Sequence, residues 1–94
     1  MEGLVRAHVF VSGKVQGVFF RKTAKNKAQK LKLKGWIKNL PDSRVETVIE
    51  GPLELVKEMI QWLKKGPLLA KVEKTDIFWE PYKGKYKDFE IRYD

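Results

Sequence analysis

Apolar and polar positions alternate over residues 4–12, with Val5, Ala7, Val9 and Val11 set against Arg6, His8, Phe10 and Ser12. A period of two predicts a strand with one buried face, because successive side chains leave a strand on opposite sides. His8 falls on the more polar side and reads as a surface strand residue. From Phe20 the period changes. Phe20, Ala24, Ala28 and Leu31 recur at helical spacing, while Lys22, Lys25, Lys27, Lys30 and Lys32 fall largely on the other faces. A helix over residues 20–32 follows, with Lys34-Gly35 closing it and late lysines suiting its dipole. Trp36–Leu40 and Arg44–Glu50 then read as two strands. Ile37 and Asn39 share one side of the first, and Val45, Thr47 and Ile49 share one side of the second. Pro41-Asp42-Ser43 between them predicts a three-residue hairpin turn.

The strongest helical pattern comes next. Gly51-Pro52 opens it, with Pro52 expected at the first helical position, and Gly66-Pro67 ends it. Leu55, Val56, Met59, Ile60 and Leu63 form its apolar stripe; Glu54 early and Lys64 and Lys65 late complement the dipole. Lys71–Glu80 predicts a further strand, rich in Val72, Thr75, Ile77, Phe78 and Trp79. Residues 81–87 read as a loop, and residues 87–93 alternate again as a short extra strand. The order strand, helix, strand, strand, helix, strand is the ferredoxin-like α+β pattern. It predicts an antiparallel sheet with both helices on one face.

Composition narrows the function. The 94 residues predict one domain spanning 1–94, and 43% hydrophobic with 12% aromatic content argues against disorder. With no cysteine and one histidine, neither a thiolate nucleophile nor a Cys- or His-cluster metal site is expected. The start shows no long apolar segment, and no run approaches the ~20 apolar residues of a membrane helix, so a cytoplasmic protein without a membrane anchor is expected. The formal charge of +8 predicts an anionic partner: nucleic acid, a membrane surface or a small phosphorylated molecule. Charged residues make up 34% of the chain, mostly Lys and Glu, a bias described for proteins of hot environments, and thermal adaptation is expected.

The chemistry gathers between the first strand and the first helix. Val11 to Arg21 holds two glycines, two cations and no carboxylate, and it ends at a helix N-terminus. Amides there lack intrahelical partners, and successive loop amides curl into nests for oxyanions. Arg21 is placed to fork onto two phosphate oxygens. The alternatives are a tight turn that only needs Gly13 and Gly17, and an Arg21 that is merely solvated. The loop is neither a Walker A motif nor a dinucleotide fingerprint, since both spacings are absent.

The run G-K-V-Q-G-V-F-F-R, residues 13–21, resembles the acylphosphatase signature G-x-V-Q-G-V-x-F-R. Residues 35–46, from Gly35-Trp36-Ile37-Lys38-Asn39 to Val45-Glu46, resemble that family's second signature, G-W-V-x-N-x-x-x-G-x-V. Ile37 is a mild departure, and Ser43 stands where the family usually has Gly. The resemblance spans essentially the whole chain and implies the same fold. It implies metal-independent hydrolysis of an acyl phosphate, without a cofactor. Arg21 would bind the phosphate, backbone amides in Gly13, Lys14, Val15, Gln16, Gly17 and Val18 would cradle it, and Asn39 would hold the attacking water. A phosphate or sulfate is expected at the loop, and a monomer is the expected state. One alternative is an RNA-binding module on the same architecture, with Phe10, Trp36, Phe78 and Trp79 stacking bases. Against it, the third strand carries no aromatic residue of the RNP1 pattern. A second alternative is a domain that binds acyl phosphates without turnover.

Overall fold

The computed structural model describes residues 3–94. Its elements follow the predicted order: β1 (Leu4–Lys14), α1 (Phe20–Lys30), β2 (Lys34–Asn39), β3 (Val45–Pro52), α2 (Leu53–Lys65), β4 (Lys71–Glu80) and β5 (Phe89–Ile91). The sheet order is β4-β1-β3-β2-β5. The first four strands pair antiparallel as the pattern implied, but β5 joins the edge parallel to β2. The sheet is therefore mixed. After β4 the chain crosses to the opposite edge and runs there in the direction of β2, a path that periodicity does not reveal. The ferredoxin-like α+β fold stands, with this strand added.

Both helices cover one face. Ala7, Val9 and Val11 of β1 meet Ile49, Thr47 and Val45 of β3 in register, and all are buried. Val56, Met59, Ile60 and Leu63 of α2 and Phe20, Ala24 and Ala28 of α1 close over them. The opposite face carries the alternate residues, where charged side chains mix with Phe10, Trp36, Val48 and Phe78. Arg6, 7% exposed, reaches Glu80 Oε1 at 2.9 Å, Glu50 Oε2 at 3.3 Å and the Tyr86 hydroxyl at 3.2 Å. His8 is half-buried rather than a free surface residue, with Nδ1 at 2.8 Å from Glu80 and Nε2 at 2.6 Å from Glu46. The Arg6 guanidinium, with His8 beside it, holds the Glu80 carboxyl below the usual carboxylate range.

Several boundaries move for local reasons. β1 continues to Lys14, through a register shift at Ser12/Gly13 against β4. Gly13 thus lies in the sheet: its φ is +124°, and a β-carbon there would stand 2.1 Å from the Lys71 carbonyl oxygen. α1 ends at Lys30, before Gly35. The Leu33 amide donates to the Ala28 carbonyl and the Lys32 amide to that of Gln29, the paired closure in which the residue past the cap turns left-handed. That residue is Lys32, at φ +57°. Pro52 is extended, with ψ 138°, and precedes the first turn of α2 instead of occupying it. The hairpin turn is as expected: the Ser43 amide donates to Leu40 O at 3.2 Å, and Ser43 takes φ +79°. Ser43 therefore keeps the conformation that a glycine would favour there.

Candidate active site

The loop between β1 and α1 covers residues 15–19. Val15 and Val18 are buried and tether it to the core, so the residues between them are held outward. Gly17 turns left-handed at φ +73°, with open space where a β-carbon would be. Phe19 follows at φ +61°, a conformation that costs a bulky side chain about 1–2 kcal/mol. Its carbonyl accepts from the Thr23 amide at 3.0 Å and from Thr23 Oγ1 at 2.7 Å, which secures the first turn of α1. No side chain caps this N-terminus and no acidic residue lies in its first turn, so its leading amides keep their anion-binding character.

Asn39 reaches the same place from another element. In the β2–β3 register Asn39 opposes Val45, as Ile37 opposes Thr47, so Asn39 lies on the helix-covered face. It shares a cavity of about 490 Å³ with Val15, Gly17 and Arg21. Among the described residues no Asp or Glu lines this cavity, whereas Arg21, Lys22 and Lys25 all do. Asn39 Oδ1 is buried, and among the described residues it has no hydrogen-bond partner. An unpartnered buried acceptor costs about 1–3 kcal/mol and is rare, so it calls for a donor in use.

The fold brings Arg21, Asn39, Val15 and Gly17 together at one cavity, with Gln16 and Val18 in the same loop and Gly13 and Lys14 just before it. Gly13 and Lys14 belong to the β1–β4 ladder, and Val18 is a core anchor. Gln16 donates its side-chain amide to Leu40 O at 2.8 Å and to Arg44 O at 2.9 Å. Those carbonyls flank the hairpin turn, so Gln16 clamps the end of β2, next to Asn39, onto the loop.

Periodicity did not find the C-terminal wall. The Arg92 amide donates to Ile37 O at 2.9 Å, which pins the end of β5 beside β2. Ile91 and Tyr93 then line the cavity, and the Arg21 guanidinium lies 5.2 Å from the Tyr93 ring centroid. Lys22 and Lys25, expected on the solvated face of the helix, line it as well. The loop cations that suggested an anion site were the one available signal for such a wall.

On the helix-free face Phe78 is 54% exposed, but two other aromatics named for base stacking are covered. Trp36 is 8% exposed, with the Arg92 guanidinium 4.8 Å from its ring, and Arg44 covers Phe10 at 4.9 Å. Glu46, Asp76 and Glu80 stand in the same registers as Phe10, Phe10 and Arg6, and would repel phosphates; Trp79 falls on the other face.

Comparison with known proteins agrees with the two motifs. A family model described as Acylphosphatase matches residues 7–91. The chain belongs to the acylphosphatase family. Hydrolysis of acyl phosphates follows from that membership. An acylphosphatase of Pyrobaculum calidifontis is 53% identical over 89 residues, which cover 94% of this chain and 81% of the relative. The solved acylphosphatase of Coxiella burnetii superposes with a TM-score of 0.92 at 40% identity, covering 97% of this chain and 95% of that one. That of Bacillus subtilis gives 0.91 at 34% identity, covering 95% and 99%. No helix among the described residues is long and apolar enough to cross a membrane.

Proposed function

We propose that this acylphosphatase works at the cavity between the residue 15–19 loop, α1 and the end of β2, with Arg21 and Asn39 as its catalytic residues. The observation that carries the reading is the buried, unpartnered Asn39 Oδ1 in the same cavity as Arg21. The substrate phosphate sits against the loop amides and the uncapped start of α1, and Arg21 forks onto two of its oxygens. The Asn39 side-chain amide holds a water by hydrogen bonding and so fixes the direction of its lone pair. The water oxygen bonds to phosphorus as the bond from phosphorus to the acyl oxygen breaks. The electron pair of that bond leaves with the carboxylate, and the water's proton ends on the phosphate product.

Each group suits its part. A carboxylate leaves without protonation, so the site needs no strong general acid. Phosphoryl transfer depends chiefly on positioning and on stabilising charge at the equatorial oxygens. Asn39 has no proton-accepting pKa in range and acts by orientation alone. The reaction uses no metal or other cofactor. The protein acts as a cytoplasmic monomer of one domain, and inorganic phosphate or sulfate binds the same loop.

The test is hydrolysis of benzoyl phosphate with a chelator present. The wild type turns over. Arg21→Lys keeps the charge but loses the fork, and is expected to lose about 10²–10³ in kcat/KM. Asn39→Ala is expected to lower kcat with little change in KM, the signature of a contact that acts in the transition state. Full turnover in Asn39→Ala would remove its role, and an inactive wild type would overturn the reading.

A further inference from the structure

Phe19 combines two features that each cost stability. Its backbone is left-handed at φ +61°, and its ring is 72% exposed. Gly or Asn would make the same turn with less strain, and a polar residue would suit the exposure better. Phe19 instead lines the cavity shared by Arg21 and Asn39, together with Ile91 and Tyr93. Tyr93 is likewise open, at 81% exposed, although its ring meets the Arg21 guanidinium. Two aromatic rings are thus held in the open, flanking the anion-binding groups.

An acyl phosphate has two unlike parts, an anionic head and an acyl tail. With the head on Arg21 and the loop amides, the tail has to leave the cavity past the lining that carries no charge. In the signature G-x-V-Q-G-V-x-F-R the second free position falls on Phe19. The loop geometry therefore does not demand Phe there. We infer that Phe19 and Tyr93 form an acyl-group subsite that selects acyl phosphates with aromatic or large apolar acyl groups over small ones. Aromatic rings offer a planar acyl group both apolar area and favourable offset or edge-to-face contact. Tyr93 also links this selection to the head group, since a tail packed on its ring lies next to Arg21.

The inference rests on the assignment of the phosphate to this cavity, and the experiment keeps the two apart. kcat/KM is measured for benzoyl phosphate and for acetyl phosphate, and the ratio is compared with that of the wild type, so that intrinsic reactivity cancels. Phe19→Ala is expected to lower the ratio about tenfold and Tyr93→Ala about threefold, while Phe19→Tyr keeps it within about twofold. Phe19→Gly relieves the backbone and removes the ring. A fall in the ratio there equal to that in Phe19→Ala assigns the effect to the ring. Arg21→Lys, run alongside, lowers both substrates and leaves the ratio in place. An unchanged ratio in both Phe19→Ala and Phe19→Gly overturns the subsite while leaving the catalytic reading intact. A wild type inactive on both substrates overturns both.

Discussion

Lys32, Ser43 and Phe19 hold left-handed backbones without being glycine, and their reasons differ. Phe19 lines the cavity, whereas Lys32 only closes α1 and Ser43 only closes a hairpin. Replacing Lys32 by Gly removes about 1–2 kcal/mol of crowding and adds back about 0.4–1 kcal/mol of unfolded-chain entropy. Lys32→Gly is thus expected to stabilise by roughly 0.5–1 kcal/mol, a gain of several degrees in thermal midpoint by calorimetry. A lower midpoint would mean that the Lys32 side chain contributes more than the strain it carries. Gln16 carries a role that one dimension does not display. The resemblance implied a part for its backbone amide, and its side-chain amide separately ties two hairpin carbonyls and so positions Asn39 indirectly. The partners of that side chain lie 24 and 28 positions away, beyond any local pattern.

Among the elements, the segment from Pro81 to Asp88 is the one whose job the alternation hid. It crosses the helix-free face and delivers β5, and it is anchored by Glu50, 1% exposed. That carboxylate accepts from the Lys83 amide at 2.9 Å, the Gly84 amide at 3.0 Å and Arg6 at 3.3 Å. A buried charge with this many donors is costly to break, since its partners are left unpaired. Glu50→Ala is expected to destabilise by about 3 kcal/mol or more, seen as a midpoint drop of over about 10 °C. Hydrogen exchange of residues 83–91 would rise with it, and a variant with unchanged exchange there would show that the strap is held by other contacts. The consequence reaches the site, because β5 carries Ile91 and leads to Tyr93. By contrast, β1, the two helices and the hairpin were legible from periodicity and turn residues alone. Their burial is set by neighbours three, four or two positions away, which the sequence displays directly. β5 has only three residues, and its partner is chosen by where the preceding segment lands.

For the whole molecule, the two faces of the sheet divide the work. The helix-covered face holds the apolar core and, at its edge, the cationic cavity. The other face holds a carboxylate-rich network around Arg6 and His8. This division fixes a pH dependence. The Glu80 carboxyl is depressed in the folded state, chiefly by Arg6 and then by His8. The unfolded chain therefore binds protons first as pH falls. The stabilisation is present above the ordinary carboxylate value of 4.5 and is lost progressively as pH falls through the lower folded value. Denaturant midpoints measured from neutral to acid pH are expected to fall in that window, and Glu80→Gln is expected to flatten the fall. An identical slope in the variant would place the acid sensitivity in other carboxylates.

Local spacing was enough to establish the ferredoxin-like order of elements, and the two motifs with Arg21 and Asn39 pointed to the acylphosphatase family and its phosphate chemistry. Those features depend on near neighbours, on turn-forming residues and on side-chain chemistry at fixed positions, all of which survive reading in one dimension. The parallel seat of β5, the His8 and Glu50 networks, the clamp by Gln16 and the aromatic wall of Phe19 and Tyr93 needed the folded chain. Each joins residues distant in sequence, up to the 80 positions between Arg6 and Tyr86, and no local period carries information about contacts made by a long crossing.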